Sequence, residues 1–80
     1  MHIKREEVSL DSVKITAKGQ EIFYYDIFSV QAIGIYSDTP EIKILARHSQ
    51  VLTIYYKSNT YMQNLFEVDL NYIIESILED

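Results

Sequence analysis

Apolar and polar residues alternate along the first two thirds of the chain in short runs, a pattern typical of half-buried β-strands. In "SVKIT", Val13 and Ile15 fall on one face, while Lys14 and Thr16 fall on the other. A shorter apolar piece, Val8 to Leu10, precedes this run. The pattern therefore predicts that the chain begins with strands.

The stretch "IFYYDIFSV" indicates two strands with a corner between them. Ile22 to Tyr25 is aromatic and apolar, Val30 to Tyr36 is the next such run, and Gly34 fits a β-bulge within it. Asp26 falls between the two runs, where a short polar side chain suits a turn. The alternative is a catalytic carboxylate, but no second carboxylate, histidine or metal ligand lies nearby in the sequence.

Two further runs, "EIKILAR" and "VLTIYYK", predict a β-hairpin joined by the polar loop "HSQ". Pro40 interrupts the chain before the first of these runs, and earlier in the chain Gly19, which follows "SVKIT", suits a tight hairpin turn. The apolar positions that share a face are Ile42, Ile44 and Ala46 in one strand, and Leu52, Ile54 and Tyr56 in the other.

The last segment changes to helical periodicity. Apolar residues recur at steps of three and four from Leu65 to Leu78, which predicts an amphipathic helix over residues 60–79. Thr60 and Gln63 resemble a capping box at its start, and Asp69 is the alternative cap of a shorter helix.

These elements predict a single α+β domain over residues 1–80. Five or six antiparallel strands between about residues 8 and 57 should form one strongly twisted sheet, with the C-terminal helix packed on it. The predicted core consists of Val13, Ile15, Ile22, Ile27, Val30, Ile33, Ile42, Ile44, Leu52, Ile54, Phe66, Leu70, Ile73, Ile74 and Ile77.

Charge is distributed unevenly over the 80 residues, whose formal net charge is −5. Residues 1–57 hold all seven basic residues and seven of the twelve acidic ones, so the remaining five acidic residues carry the whole net charge. An acidic surface repels phosphate backbones, which argues against nucleic-acid binding.

The composition also narrows the chemistry. The chain has no cysteine, which excludes disulfides, thiolate zinc sites and cysteine nucleophiles. His2 and His48 lack acidic residues at metal-ligand spacing, and two glycines do not supply a nucleophile elbow or a phosphate loop. We expect no catalytic activity, no metal and no cofactor.

No apolar run approaches the length that crosses a bilayer, and the charged start "MHIKREEVSL" has no apolar stretch behind it. We therefore expect no signal peptide, no membrane association and a cytoplasmic location.

Tyrosine is the most over-represented residue, with seven copies. In the pairs Tyr24–Tyr25 and Tyr55–Tyr56, strand alternation should place one ring inside and the other outside. Strands favour tyrosine in any case, but an outward ring is also a favoured contact residue. The predicted binding residues are Tyr25, Tyr55 and Tyr61, together with Glu75 and Glu79 on the helix.

The spacing of Ile22, Tyr24, Asp26, Ile27 and Val30 resembles the second-strand corner of small bacterial pleckstrin-homology-like domains. The order of "EIKILARHSQVLTIYY" and the helix through Ile77 is similar too, so the resemblance covers about residues 12–78. It implies a curved, partly open barrel that a C-terminal helix closes, and an adaptor role.

The sequence departs from that family in two ways. The usual fold has seven strands, and the pattern here supports six at most. Members that bind phosphoinositides carry clustered basic loops, whereas "TAKGQE" offers only Lys18. Binding of lipid headgroups is therefore not implied.

Together these observations predict a non-catalytic protein-interaction or adaptor module, which uses a sheet edge or a tyrosine-bearing face. The expected partner is a protein, and a second copy of the chain is among the candidates. The alternative is a small acidic inhibitor of the viral type, whose C-terminal carboxylates mimic nucleic-acid phosphates.

Overall fold

The computed structural model describes residues 2–5, 7–56 and 60–79, with residues 60–63 described by their backbone alone. It is an α+β fold of two antiparallel sheets and one C-terminal helix. The four-stranded sheet has the order β1-β2-β3-β4, and the three-stranded sheet has the order β5-β6-β7. The elements are β1 (Ile3–Lys4), β2 (Val8–Leu10), β3 (Lys14–Ala17), β4 (Gln20–Phe23), β5 (Ile27–Ile33), β6 (Glu41–Ala46), β7 (Gln50–Tyr55) and α1 (Thr60–Glu79).

The prediction of one sheet with five or six strands is wrong, because the described residues form seven strands in two sheets. A single 3₁₀ turn, Tyr24–Asp26, separates β4 from β5 and divides the strands between the sheets. β4 consequently ends at Phe23, and β5 begins at Ile27 rather than at Val30. β1 is only two residues long, too short for alternation to reveal it.

The corner predicted at Asp26 exists, and the bond that fixes it comes from the backbone. The carbonyl of Asp26 accepts the N–H of Arg47 at 3.0 Å. Gly34 is not a bulge: it follows β5 in a turn with φ of +66°, and its carbonyl accepts the N–H of Ser37. The bulge of β5 lies instead between Ile27 and Ser29.

Helix α1 covers both sheets, since it packs against β2 of the larger sheet and against β5 and β6 of the smaller. The core between these layers contains most of the predicted residues and six others that the predicted core left out. The added buried side chains are Val8, Leu10, Ala17, Tyr24, Ala46 and Tyr56.

Three predicted core residues are exposed: Val13 by 53%, Ile33 by 39% and Ile74 by 40%. Val13 precedes β3 in a turn, and Ile33 lies opposite Glu41 at the end of β5. Ile74 is turned about 100° around the helix from the fully buried Ile73, so it faces outward.

Helix α1 begins at Thr60, which rules out Asp69 as its cap. Asp69 instead lies in the middle of the helix, where it is completely buried. The proposed capping box of Thr60 and Gln63 concerns side chains outside the described residues. Within the described part of the chain, no helix is both long and apolar enough to span a membrane.

Candidate binding cleft

A cleft of about 630 Å³ opens between the C-terminal end of β7 and the ends of β2 and β3. Its size falls in the range of ordinary ligand sites in proteins. Most of its walls are apolar, with one basic and one acidic side chain among them. The described lining consists of Glu7, Val8, Ala17, Lys18, Gly19, Thr39, Ile54, Tyr55 and Tyr56.

The β3–β4 turn brings a cation to the rim of the cleft. Lys18 and Gly19, the two residues between these strands, have φ of +51° and +73°, as the tightest hairpin turn requires. This turn places Nζ of Lys18 4.5 Å from the centroid of the Tyr55 ring. A cation over an aromatic face is attracted by the ring quadrupole, which joins the two sheets across the cleft.

Tyr55 and Tyr56 take opposite sides of β7, as alternation predicts. Tyr55 is 58% exposed at the cleft, whereas Tyr56 is almost completely buried. The rings of Tyr56 and Phe66 meet edge to face, with centroids 5.4 Å apart. One tyrosine is therefore available to a ligand, and its neighbour anchors β7 to the helix.

Asp69 fixes that anchor. Its Oδ2 atom accepts hydrogen bonds from the hydroxyl of Tyr56 at 2.6 Å and from the guanidinium of Arg5. Burial raises the pKa of Tyr56 well above its usual range, and the hydrogen bond and charge of Asp69 raise it further. Among the described residues, the Oδ1 atom of Asp69 has no hydrogen-bond partner.

The predicted binding residues do not form one site. Tyr25 is 63% exposed in the 3₁₀ turn, where its ring stacks on that of Phe23 with the ring centroids 5.4 Å apart. Tyr55 lies at the cleft, and the side chain of Tyr61 falls outside the described residues. Glu75 and Glu79 line a separate hollow on α1, together with Ser12, Tyr72 and Ser76.

A second, smaller groove of about 200 Å³ runs between α1 and the free side of β5. Ile74 and Ile77 form its helical wall, and Phe28 and Val30 lie on the strand side. Its described lining carries no charged side chain, so nothing in the groove distinguishes one apolar ligand from another.

Of the residues that line the cleft, the sequence predicted only Tyr55 as a binding residue, and it missed the roles of Lys18 at the rim and of Asp69 behind Tyr56. Lys18 was considered only as the single basic residue of its loop. The turn that Lys18 and Gly19 form points the Lys18 side chain toward Tyr55. Asp69 was grouped with the surface carboxylates, because its partner Arg5 lies 64 residues away.

The described lining of the cleft contains few ionisable side chains. Glu7 is the single carboxylate of its described lining, and histidine is absent from that lining. The described residues contain no group of three or more histidine, cysteine, aspartate or glutamate side chains placed to hold a metal ion.

No protein-family model matches the chain, and comparisons with curated proteins and with solved structures find no significant match.

Proposed function

We propose that this domain is a non-catalytic protein-interaction module. The observation that carries the proposal is the 630 Å³ cleft with the exposed Tyr55 at its rim. Apolar walls with a few polar groups suit the side chains of a partner, and tyrosine contributes contact area at a small entropic cost.

The resemblance to pleckstrin-homology-like domains belongs to the same proposal. Seven antiparallel strands followed by one C-terminal helix are the elements of that fold, and the division into sheets of four and three strands agrees with a partly open barrel. An adaptor role follows from the resemblance.

Affinity capture tests the proposal with two tyrosine variants. Immobilised wild-type protein and Tyr36→Ser should retain the same protein from a lysate of the native host, and Tyr55→Ser should lose it. Tyr36 is fully exposed and does not line the cleft, which makes it a matched control. Equal retention by all three proteins, or retention of nothing, would contradict the proposal.

Phosphate mimicry is the second candidate, and one observation favours it. Glu75 and Glu79 are exposed and line the same hollow on α1. Asp69 cannot take part, because it is buried against Arg5 and Tyr56.

Salt separates the two candidates. Binding through carboxylates should weaken steeply as ionic strength rises, whereas binding through the apolar cleft should change little. Phosphate mimicry would replace binding at the cleft if two results were found together. The captured complex would dissociate in moderate salt, and the double variant Glu75→Gln, Glu79→Gln would no longer capture the partner.

A further inference from the structure

Resting on the proposed interaction function, we infer that the cleft and the free edge of β7 together bind an extended peptide. The peptide adds as a strand beside β7. One of its apolar side chains enters the cleft, and an adjacent acidic side chain pairs with Lys18.

The four sheet edges of the described chain differ in how well they are protected. β1 is two residues long, and β4 carries Glu21, whose carboxylate lies 3.4 Å from Nζ of Lys14. β5 has a bulge, and α1 packs against it. β7 has six residues, Gln50–Tyr55, with no charge, no proline and no irregularity in its pairing with β6. Natural proteins usually protect a free sheet edge by keeping the strand short, or with charges, proline, a bulge or a covering helix. β7 has none of these features, so it is the edge left open to another strand.

The pairing of β7 shows which of its backbone groups are available. The N–H of Tyr56 bonds to the carbonyl of Pro40 at 2.9 Å, which fixes the phase of the β6–β7 ladder. Since residues of an antiparallel strand alternate between the two sides, Ile54 and Leu52 also bond toward β6. The N–H and C=O groups of Val51, Thr53 and Tyr55 therefore point to the free edge, where a peptide backbone can bond to them.

The cleft lies at the end of that same edge. Side chains of an added strand alternate between the two faces, so every second one points toward the interior. At the level of the buried Ile54, an interior-facing side chain meets Val8 and Ala17, which line the cleft together with Ile54. A large apolar residue is the side chain that these walls favour.

The neighbouring residue of the peptide faces outward, beside the ring of Tyr55. Nζ of Lys18 is 4.5 Å from that ring, and the ion pairs among the described residues are Arg5–Asp69 and Lys14–Glu21. An acidic side chain at this position supplies the charge that complements Lys18, while Glu7 on the opposite wall disfavours a second one. The preferred peptide thus places an acidic residue next to a large apolar one.

A second copy of the chain fits this surface less well. If two β7 strands paired, the inward side chains Leu52 and Ile54 of each would stay in their own core. Neither copy would fill the cleft of the other. A separate peptide can satisfy the edge and the cleft together.

The test uses an array of immobilised octapeptides probed with the labelled chain of residues 1–80. The array varies one position among Leu, Phe and Ala, and the next among Glu, Gln and Lys. We expect binding to peptides that combine Leu or Phe with Glu. Solution affinities of the best peptide are then measured by fluorescence anisotropy for three variants.

Thr53→Pro removes an N–H that faces the edge, and an edge strand tolerates proline at such a position. It should weaken binding by about tenfold or more, while Thr53→Val, which keeps the N–H, should stay within about twofold. Lys18→Glu should move the preference from Glu to Lys peptides. Urea midpoints close to wild type confirm that each variant is folded.

Three results would overturn the inference. The first is that the wild-type chain binds no peptide of the array, and the second is that Thr53→Pro and Thr53→Val bind the best peptide with equal affinity. The third is that the wild-type chain sediments as a dimer and Thr53→Pro sediments as a monomer. The proposed interaction function would survive any of these if Tyr55→Ser still abolished capture of a protein partner, so the two failures are distinguishable.

Discussion

The hydroxyl of Tyr56 donates a hydrogen bond to Oδ2 of Asp69 over 2.6 Å, which ties the end of β7 to the middle of α1. Arg5 donates to the same oxygen from the connection between β1 and β2. One buried carboxylate thus holds three segments that are distant in the sequence. A buried charge that loses its partner is costly, so we expect this cluster to dominate the response of the fold to polar substitutions.

Asp69→Asn should destabilise the fold by about 2–4 kcal/mol, because it removes the charge that compensates Arg5 and weakens the bond from Tyr56. Urea denaturation measures the change. Glu67→Gln is the matched control, since it makes the same charge change on an exposed position of the same helix and should cost less than about 0.5 kcal/mol. Equal midpoints for the two variants would contradict the assigned role of Asp69.

Tyr56 should make stability fall at alkaline pH. Burial, together with Asp69, raises the pKa of Tyr56 in the fold, so this phenol stays neutral while its unfolded counterpart ionises above about pH 10. The stability that the neutral, hydrogen-bonded Tyr56 contributes is fully present below about pH 10 and is lost as pH rises further. The free energy of unfolding should therefore decline less steeply with pH in Tyr56→Phe, and parallel curves would refute the prediction.

Asp11 should make the stability of the fold depend on pH in the acidic range. Its Oδ1 atom accepts the backbone N–H groups of Val13 and Lys14, each at 2.8 Å. The bond from Val13 is the largest of the effects that together hold the pKa of Asp11 below its usual value. The resulting stability is present above about pH 4 and is lost as pH falls further.

Thermal denaturation between pH 5 and pH 2 checks this prediction. Asp11→Asn keeps an oxygen acceptor but does not titrate, so its melting temperature should depend less on acid than that of wild type. Asp38→Asn removes a carboxylate from an exposed turn and serves as the control. The prediction fails if both variants respond to acid as wild type does.

Ile73 and Ile74 should respond very differently to truncation, although they are neighbours and both were predicted in the core. Ile73 is completely buried, so Ile73→Ala should cost about 2–5 kcal/mol. Ile74 is 40% exposed, and Ile74→Ala should cost about 1 kcal/mol or less. Urea midpoints distinguish the two, and similar losses would mean that α1 is rotated from the orientation described.

Regular elements with long repeats were predictable from the sequence. The helix was expected over residues 60–79 and spans Thr60–Glu79, because its apolar period persists for several turns. The β6–β7 hairpin was recognised from alternation. The opposite burial of Tyr24 and Tyr25 was also confirmed, although a 3₁₀ turn rather than a strand produces it.

Features that depend on distant partners were not predictable. Asp69 is polar, and only the arrival of Arg5 and Tyr56 makes its burial favourable. The division into two sheets depends on a three-residue turn whose sequence also suits a strand. The cleft is lined by residues of both sheets, so no local pattern of residues in the sequence indicates it.

The chain order of the fold has a consequence for its synthesis. Both sheets precede α1, yet Phe66, Asp69 and Ile73 of that helix complete the interior. On a translating ribosome the strands emerge first and remain without their cover until residues 60–79 leave the exit tunnel. A nascent chain halted before Thr60 would be a client for chaperones rather than a finished domain.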